Sequence, residues 1–127
     1  METAITHNIK ISVESFYLDD RSNPEDNLFV FAYRIRMNNL GYRQVQLISR
    51  HWIITDSTGE IREVRGEGVV GEQPLINPGE SYEYMSGSQL ESEFGTMQGT
   101  YRMRSSDGMI FDVEIPCFTL AVPGVLN

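Results

Sequence analysis

The chain has 127 residues, 40% of them hydrophobic with six Phe, six Tyr and one Trp, which is enough apolar material for one domain over 1–127 and excludes a disordered chain. Its formal charge of −8 is one-sided: residues 1–55 carry six acids and six bases, residues 56–127 twelve acids and four arginines. Such a surface repels phosphate backbones and anionic lipid headgroups, so bulk nucleic-acid and membrane binding are not expected.

From Thr6 to Tyr17 the apolar residues Ile9, Ile11 and Val13 alternate with polar ones, a period of two that predicts a strand with one wet face. Asp19 to Asn27 is a polar loop punctuated by Asn23-Pro24. Leu28 to Met37 predicts a longer strand, with Phe29, Phe31, Tyr33, Ile35 and Met37 on one face and turn residues Asn38-Asn39-Leu40-Gly41 after it. Val45 to Asp56 is apolar on both parities, with Leu47 and Ile53 on one side and Ile48, Trp52 and Ile54 on the other, which points to a central strand. Asp56-Ser57-Thr58-Gly59 turns the chain into a short charged strand, Glu60 to Arg65. Beyond a glycine-spaced loop, Asn77-Pro78-Gly79-Glu80 is a turn, Ser81 to Ser86 a strand, and Gly87 to Gly95 a polar irregular stretch. Thr96 to Arg104 alternates weakly, Asp107-Gly108 marks a tight hairpin, and Met109 to Leu120 is the last strand. Pro116 cannot donate to a ladder, so that strand is an edge there or carries a bulge. Seven or eight short strands without helical spacing predict an all-β fold, an antiparallel two-sheet sandwich, with a barrel as the alternative.

The only nucleotide-like motif is Gly66-x-Gly68-x-x-Gly71. A dinucleotide site needs a helix to follow, so that its N-terminus meets the pyrophosphate; here Glu72-Gln73-Pro74 follows, and the motif does not fit. Two readings of the glycines stay open: positive backbone angles in a demanding loop, or a small anion nest assisted by Arg62 or Arg65. His51, between Arg50 and Trp52, reads as a hydrogen-bonded packed imidazole, and two histidines in all do not define a metal site. The acids show no spacing of a dedicated cation cage. Cys117, the single cysteine, excludes an intrachain disulfide and reads as a small buried hydrophobe. Residues 86–88, Ser-Gly-Ser, lack the frame of a nucleophile elbow, so no catalytic residue is assigned and no cofactor is expected. METAITHNIK has no signal-peptide core, and no segment reaches the roughly 18 apolar residues of a membrane span, so a soluble cytoplasmic protein is expected.

The runs LISRHWIITD (Leu47 to Asp56) and EVRGEGVVGEQP (Glu63 to Pro74) closely resemble the bacterial ApaG family, also called CorD. Pro78-Gly79-Glu80, Ser86-Gly87, GTMQG from Gly95 and FDVEIP from Phe111 add to the likeness, which covers about residues 6–120. The resemblance implies an immunoglobulin- or fibronectin-III-like sandwich, a small cytoplasmic homodimer, and an association with cobalt resistance and magnesium efflux. It also implies a protein-interaction role, since related domains sit within larger eukaryotic proteins. Where many relatives have Cys-Pro after Ser86-Gly87, this chain has Ser88-Gln89, so a thiol there has no counterpart. The expected function is therefore a non-catalytic interaction module for an unidentified protein partner. Its candidate contact residues are Arg50, His51, Trp52, Arg65, Gly66, Gly68, Gly71 and Glu72. The alternative is a sensor of pyrophosphate, a nucleotide or a divalent metal through the glycine loop or the acidic half.

Overall fold

Period-two alternation is what the chain obeys along most of its length. The computed structural model describes residues 1–126, and they form nine antiparallel strands. These are β1 (Glu2–Thr6), β2 (Ile9–Tyr17), β3 (Phe29–Asn39), β4 (Val45–Asp56), β5 (Ile61–Glu67), β6 (Leu75–Ile76), β7 (Ser81–Leu90), β8 (Phe94–Ser105) and β9 (Ile110–Ala121). One sheet runs β1-β2-β3-β7; the other runs β5-β4-β8-β9, with β6 beside the start of β4. Two separate sheets face each other across one core, which decides for the sandwich over the barrel. Among the described residues no helix is long and apolar enough to cross a membrane.

The core side of β3 is the predicted one, since Phe29, Phe31, Tyr33, Ile35 and Met37 are all buried. Trp52 stacks among Tyr33, Phe118 and Tyr101, with ring centroids 5.4, 5.9 and 6.2 Å away. Burying one side chain of this kind contributes about 1.5–3 kcal/mol, so this cluster holds the two sheets together.

Four expectations are corrected. The first strand is two: His7 and Asn8 both have positive φ, 49° and 63°, the signature of a two-residue hairpin turn, and β1 folds back on β2 through it. β3 runs through Asn38 and Asn39 instead of turning there. Buried Asn39 donates from Nδ2 to the carbonyls of Arg43 (2.7 Å) and Ile76 (3.0 Å), and its Oδ1 accepts from the Gly41 N–H, so it builds the turn from inside the strand. β7 continues through Gly87 to Leu90, the stretch read as irregular, because β3 offers it a full ladder as far as Phe29. Cys117 is exposed, not buried.

The last correction has a physical cause shared with β4. In β4 the register slips between Leu47 and Ser49, so the core face passes from Val45 and Leu47 to Trp52 and Ile54. The two apolar parities are one face interrupted by a bulge. The same happens where Pro116 was expected to disturb the ladder: Met97 pairs Phe118 while Gly99 pairs Ile115, so β9 holds one residue more. Val113 and Ile115 face inward before this bulge, Phe118 and Leu120 after it, and Cys117 is turned out.

The sheet edges differ. On one side β9 is tied to the β1–β2 hairpin, for the Glu114 N–H donates to Thr6 Oγ1 (3.1 Å) and Ser15 Oγ donates to the Thr119 carbonyl (2.9 Å). On the other side lies β5, all of whose residues except Gly66 are exposed.

Candidate functional site

The chain from β4 to β6 builds the region the sequence singles out. Asp56 closes the first turn: its Oδ1 accepts from the Thr58 amide (2.9 Å) and hydroxyl (2.5 Å). These bonds, the hydroxyl's foremost, hold the Asp56 carboxyl below its usual range. The chain then runs along β5 and leaves it at Gly68.

Residues 68–74 form a laced corner. The Gly68 N–H donates to the Ile48 carbonyl (2.9 Å), and Val69 and Glu72 exchange two backbone bonds of 2.8 Å each. Between them Val70 (φ 43°) and Gly71 (φ 80°) make a two-residue reversal with both angles positive. Gln73 Nε2 donates to the Ile48 carbonyl (2.9 Å), and Tyr82 Oη donates to Glu72 Oε2 (2.7 Å). Val69 is buried beneath, and Val70 stands 55% exposed above it. Gly68 must be glycine twice over, because its φ is +63° and a β-carbon there would collide with the Glu72 carbonyl. Gly66 serves differently: a β-carbon would meet the Arg50 guanidinium at 2.8 Å, and its absence lets Arg50 lie flat on the strand. From there Arg50 Nη1 donates to the carbonyls of Glu67 (3.0 Å) and Gly68 (2.8 Å). The amides of Gly68, Val69 and Glu72 are bonded within the chain, which leaves an anion nest only the Val70 and Gly71 amides at the tip of the reversal and favours the backbone reading of the glycines.

A second feature lies on the outer face of the same sheet. A shallow groove of about 380 Å³ is lined by side chains that strand pairing brings together, among them His51, Arg65, Glu67, Arg102 and Asp112. His51 Nε2 lies 2.8 Å from Glu63 Oε1, so its N–H donates to that carboxylate, and Arg65 Nη2 is 3.8 Å from the same oxygen. Arg102 Nε donates to Asp112 Oδ1 at 3.1 Å. His51 is thus hydrogen-bonded as expected, on the solvent side of β4. Among the described residues no three His, Cys, Asp or Glu side chains come together so as to hold a metal ion.

The eight candidate residues therefore divide among three places. Arg50, His51, Arg65 and Gly66 line the outer groove, and Arg50 and Gly66 also reach the corner, which Gly68, Gly71 and Glu72 build. Trp52, only 3% exposed, belongs to the core and drops out of any contact surface. Sequence reasoning missed Arg102, Asp112 and Val70. Only the register of β8 against β4 brings Arg102 beside Ser49, but Val70-Gly71 was readable as a reversal ending in glycine.

The family model of the ApaG domain matches residues 19–105. The protein ApaG of Paramagnetospirillum magneticum is 53% identical over 123 residues, covering 97% of this chain and 95% of that one. The protein ApaG of an Azoarcus species is 52% identical over 127 residues, the full length of both. The crystal structure of the ApaA protein from Bordetella pertussis superposes with a TM-score of 0.89 at 47% identity, over 92% of this chain and 95% of that one.

Proposed function

This chain belongs to the ApaG family, and from that premise we infer that it is a non-catalytic, homodimeric interaction module that meets a protein partner through the 66–74 corner. The observation that carries this reading is Val70. A β-branched residue at φ 43° is strained, and strain of this kind persists where the surroundings over-determine it. Here the lacing by Arg50, Gln73 and the Val69–Glu72 bonds holds the strained residue with its side chain in solvent. Such an arrangement presents an apolar contact rigidly, which lowers the ordering cost of binding.

Catalysis finds no support in this corner, whose polar groups are engaged with one another. The family's association with cobalt resistance and magnesium efflux is read as acting through the partner, in the cytoplasm. A second reading, binding of pyrophosphate or a nucleotide, draws on the groove that gathers His51, Arg65 and Arg102. It is disfavoured by the acids Glu63, Glu67 and Asp112 interleaved with them.

The test is Val70→Gly. Glycine takes positive φ without penalty, so stability should hold or rise by about 1 kcal/mol in urea unfolding. Capture of partners from cells that express the protein, quantified against wild type, should fall. Unchanged capture by a folded V70G protein would overturn the corner as the contact. Saturable NMR shifts of His51, Arg65 and Arg102 with pyrophosphate or Co²⁺ would favour the ligand reading instead.

A further inference from the structure

Of the four outer strands, two, β1 and β9, have their open sides turned to each other. Thr6 of β1 accepts from the Glu114 N–H of β9, Ser15 of β2 donates to the Thr119 carbonyl of β9, and the Gln89 carbonyl of β7 accepts from Arg62 Nη2 at 3.0 Å. β5 differs. It is seven residues long and exposed on both faces, and Ile61 and Val64 are apolar groups 64% and 36% exposed. A strand edge of this kind is a template for another strand.

Which atoms are free follows from the ladder. The Glu60 carbonyl accepts from the Asp56 N–H, and the Gly68 N–H donates to the Ile48 carbonyl, so the even-numbered residues of this segment bond to β4. The register between these bonds is unbroken, and the odd-numbered Ile61, Glu63, Arg65 and Glu67 therefore aim their backbone groups away from β4. Of these, the Glu67 carbonyl already accepts from Arg50.

We propose that this free edge pairs antiparallel with β5 of a second copy, about a two-fold axis through Val64. The inference rests on the homodimeric reading above and supplies its geometry. Any symmetric pairing must match odd residues with odd ones, which leaves three registers that overlap well. Centring on Glu63 sets that carboxylate against its own copy, and centring on Arg65 opposes two guanidinium groups. Centring on Val64 sets Glu63 of one copy opposite Arg65 of the other, twice, on the outer face, with Val64 against Val64 on the inner face. Opposite charges facing across strands stabilise the pair and like charges destabilise it, so the Glu-Val-Arg run selects one register and disfavours its neighbours. Glu63 and Arg65 are 55% and 73% exposed, and Glu63 keeps its second carboxylate oxygen for the facing copy while Oε1 accepts from His51. The two four-stranded paths β5-β4-β8-β9 then join into one continuous sheet across the axis.

Charge reversal tests this by sedimentation equilibrium, with circular dichroism confirming that each variant folds. Wild type should dimerise. Glu63→Arg alone and Arg65→Glu alone each set two like-charged pairs across the axis and should weaken the dimer about tenfold or more. Mixing E63R with R65E should restore association as a heterodimer, because both facing pairs then join a guanidinium of the first variant to a carboxylate of the second. The double variant E63R/R65E should dimerise by itself. Should a reversal disturb folding, Glu63→Gln and Arg65→Gln remove the charge with little change of shape, and each should weaken the dimer. A wild-type protein that is monomeric at millimolar concentration would overturn both the homodimer and the edge. A dimer indifferent to these changes would overturn the edge alone, and a mixture that stays monomeric would overturn the Val64 register.

Discussion

At the scale of single residues, the glycine motif is a lesson in how one spacing conceals different demands. Gly66 leaves room for a guanidinium, Gly71 completes a reversal, and Gly68 combines a positive φ with a carbonyl that a β-carbon there would strike. Gly68→Ala should therefore be the costly change. Placing an L-residue in the left-handed region costs about 1–2 kcal/mol, and moving the Glu72 carbonyl aside adds to it, so a loss of about 2 kcal/mol or more is expected from the urea midpoint. Since that carbonyl also accepts from Val69, the damage should spread into the turn that presents Val70. A loss below about 0.5 kcal/mol, the range of an ordinary surface change, would mean that the corner is more pliant than its bonds imply.

At the scale of elements, legibility follows the regularity of the pleat. β3 was readable from Phe29, Phe31, Tyr33, Ile35 and Met37 because nothing interrupts its alternation, and the Asp107-Gly108 hairpin was readable from turn chemistry alone. β4 and β9 were placed correctly but faced wrongly in part, because a bulge adds one residue and exchanges the faces beyond it. The C-terminal half of β7 was lost because Gly87, Ser88 and Gln89 have little preference for a strand, and it is the partner β3 that makes them one. The candidate site fared likewise. Neighbours along the chain were found, whereas Arg102 and Asp112 enter only through pairing, and Trp52 passed for a surface residue because the bulge that decides its face is invisible in its own segment. Cys117 makes the point testable. With the bulge at Pro116–Cys117 the thiol lies outside, so Ellman's reagent should modify it in the native protein within about tenfold of the rate in urea. A thiol on the inner face would wait for unfolding and react slower by a factor of about 10³ or more.

At the scale of the whole molecule, the two sheets are joined by a polar contact inside an apolar core. Tyr84 of β7 and Tyr101 of β8 share a hydrogen bond between their hydroxyls at 2.5 Å, linking one sheet to the other. Burial raises both phenols well above the usual tyrosine value, and it raises Tyr33 beside them. Tyr82 is pushed up to about 12, by burial first and then by its bond to the Glu72 carboxylate. Each of these groups is harder to ionise in the folded protein than in the unfolded chain. Their contribution to stability is therefore complete below the unfolded value of about 10, and it is lost as pH rises from there toward the folded values. The thermal midpoint should be flat in this respect up to about pH 10 and fall steeply above it, by a cooperative transition, since ionising Tyr101 requires the sheets to part. Absorbance at 295 nm should then show only part of the six tyrosines titrating before unfolding and the rest with it. Tyr84→Phe with Tyr101→Phe removes both hydroxyls together and leaves neither unpaired, so it should cost little at neutral pH and flatten the alkaline fall. A double variant that still unfolds along the wild-type alkaline curve would shift the cause to Tyr33 and Tyr82, and the hydroxyl pair would then be a packing contact only.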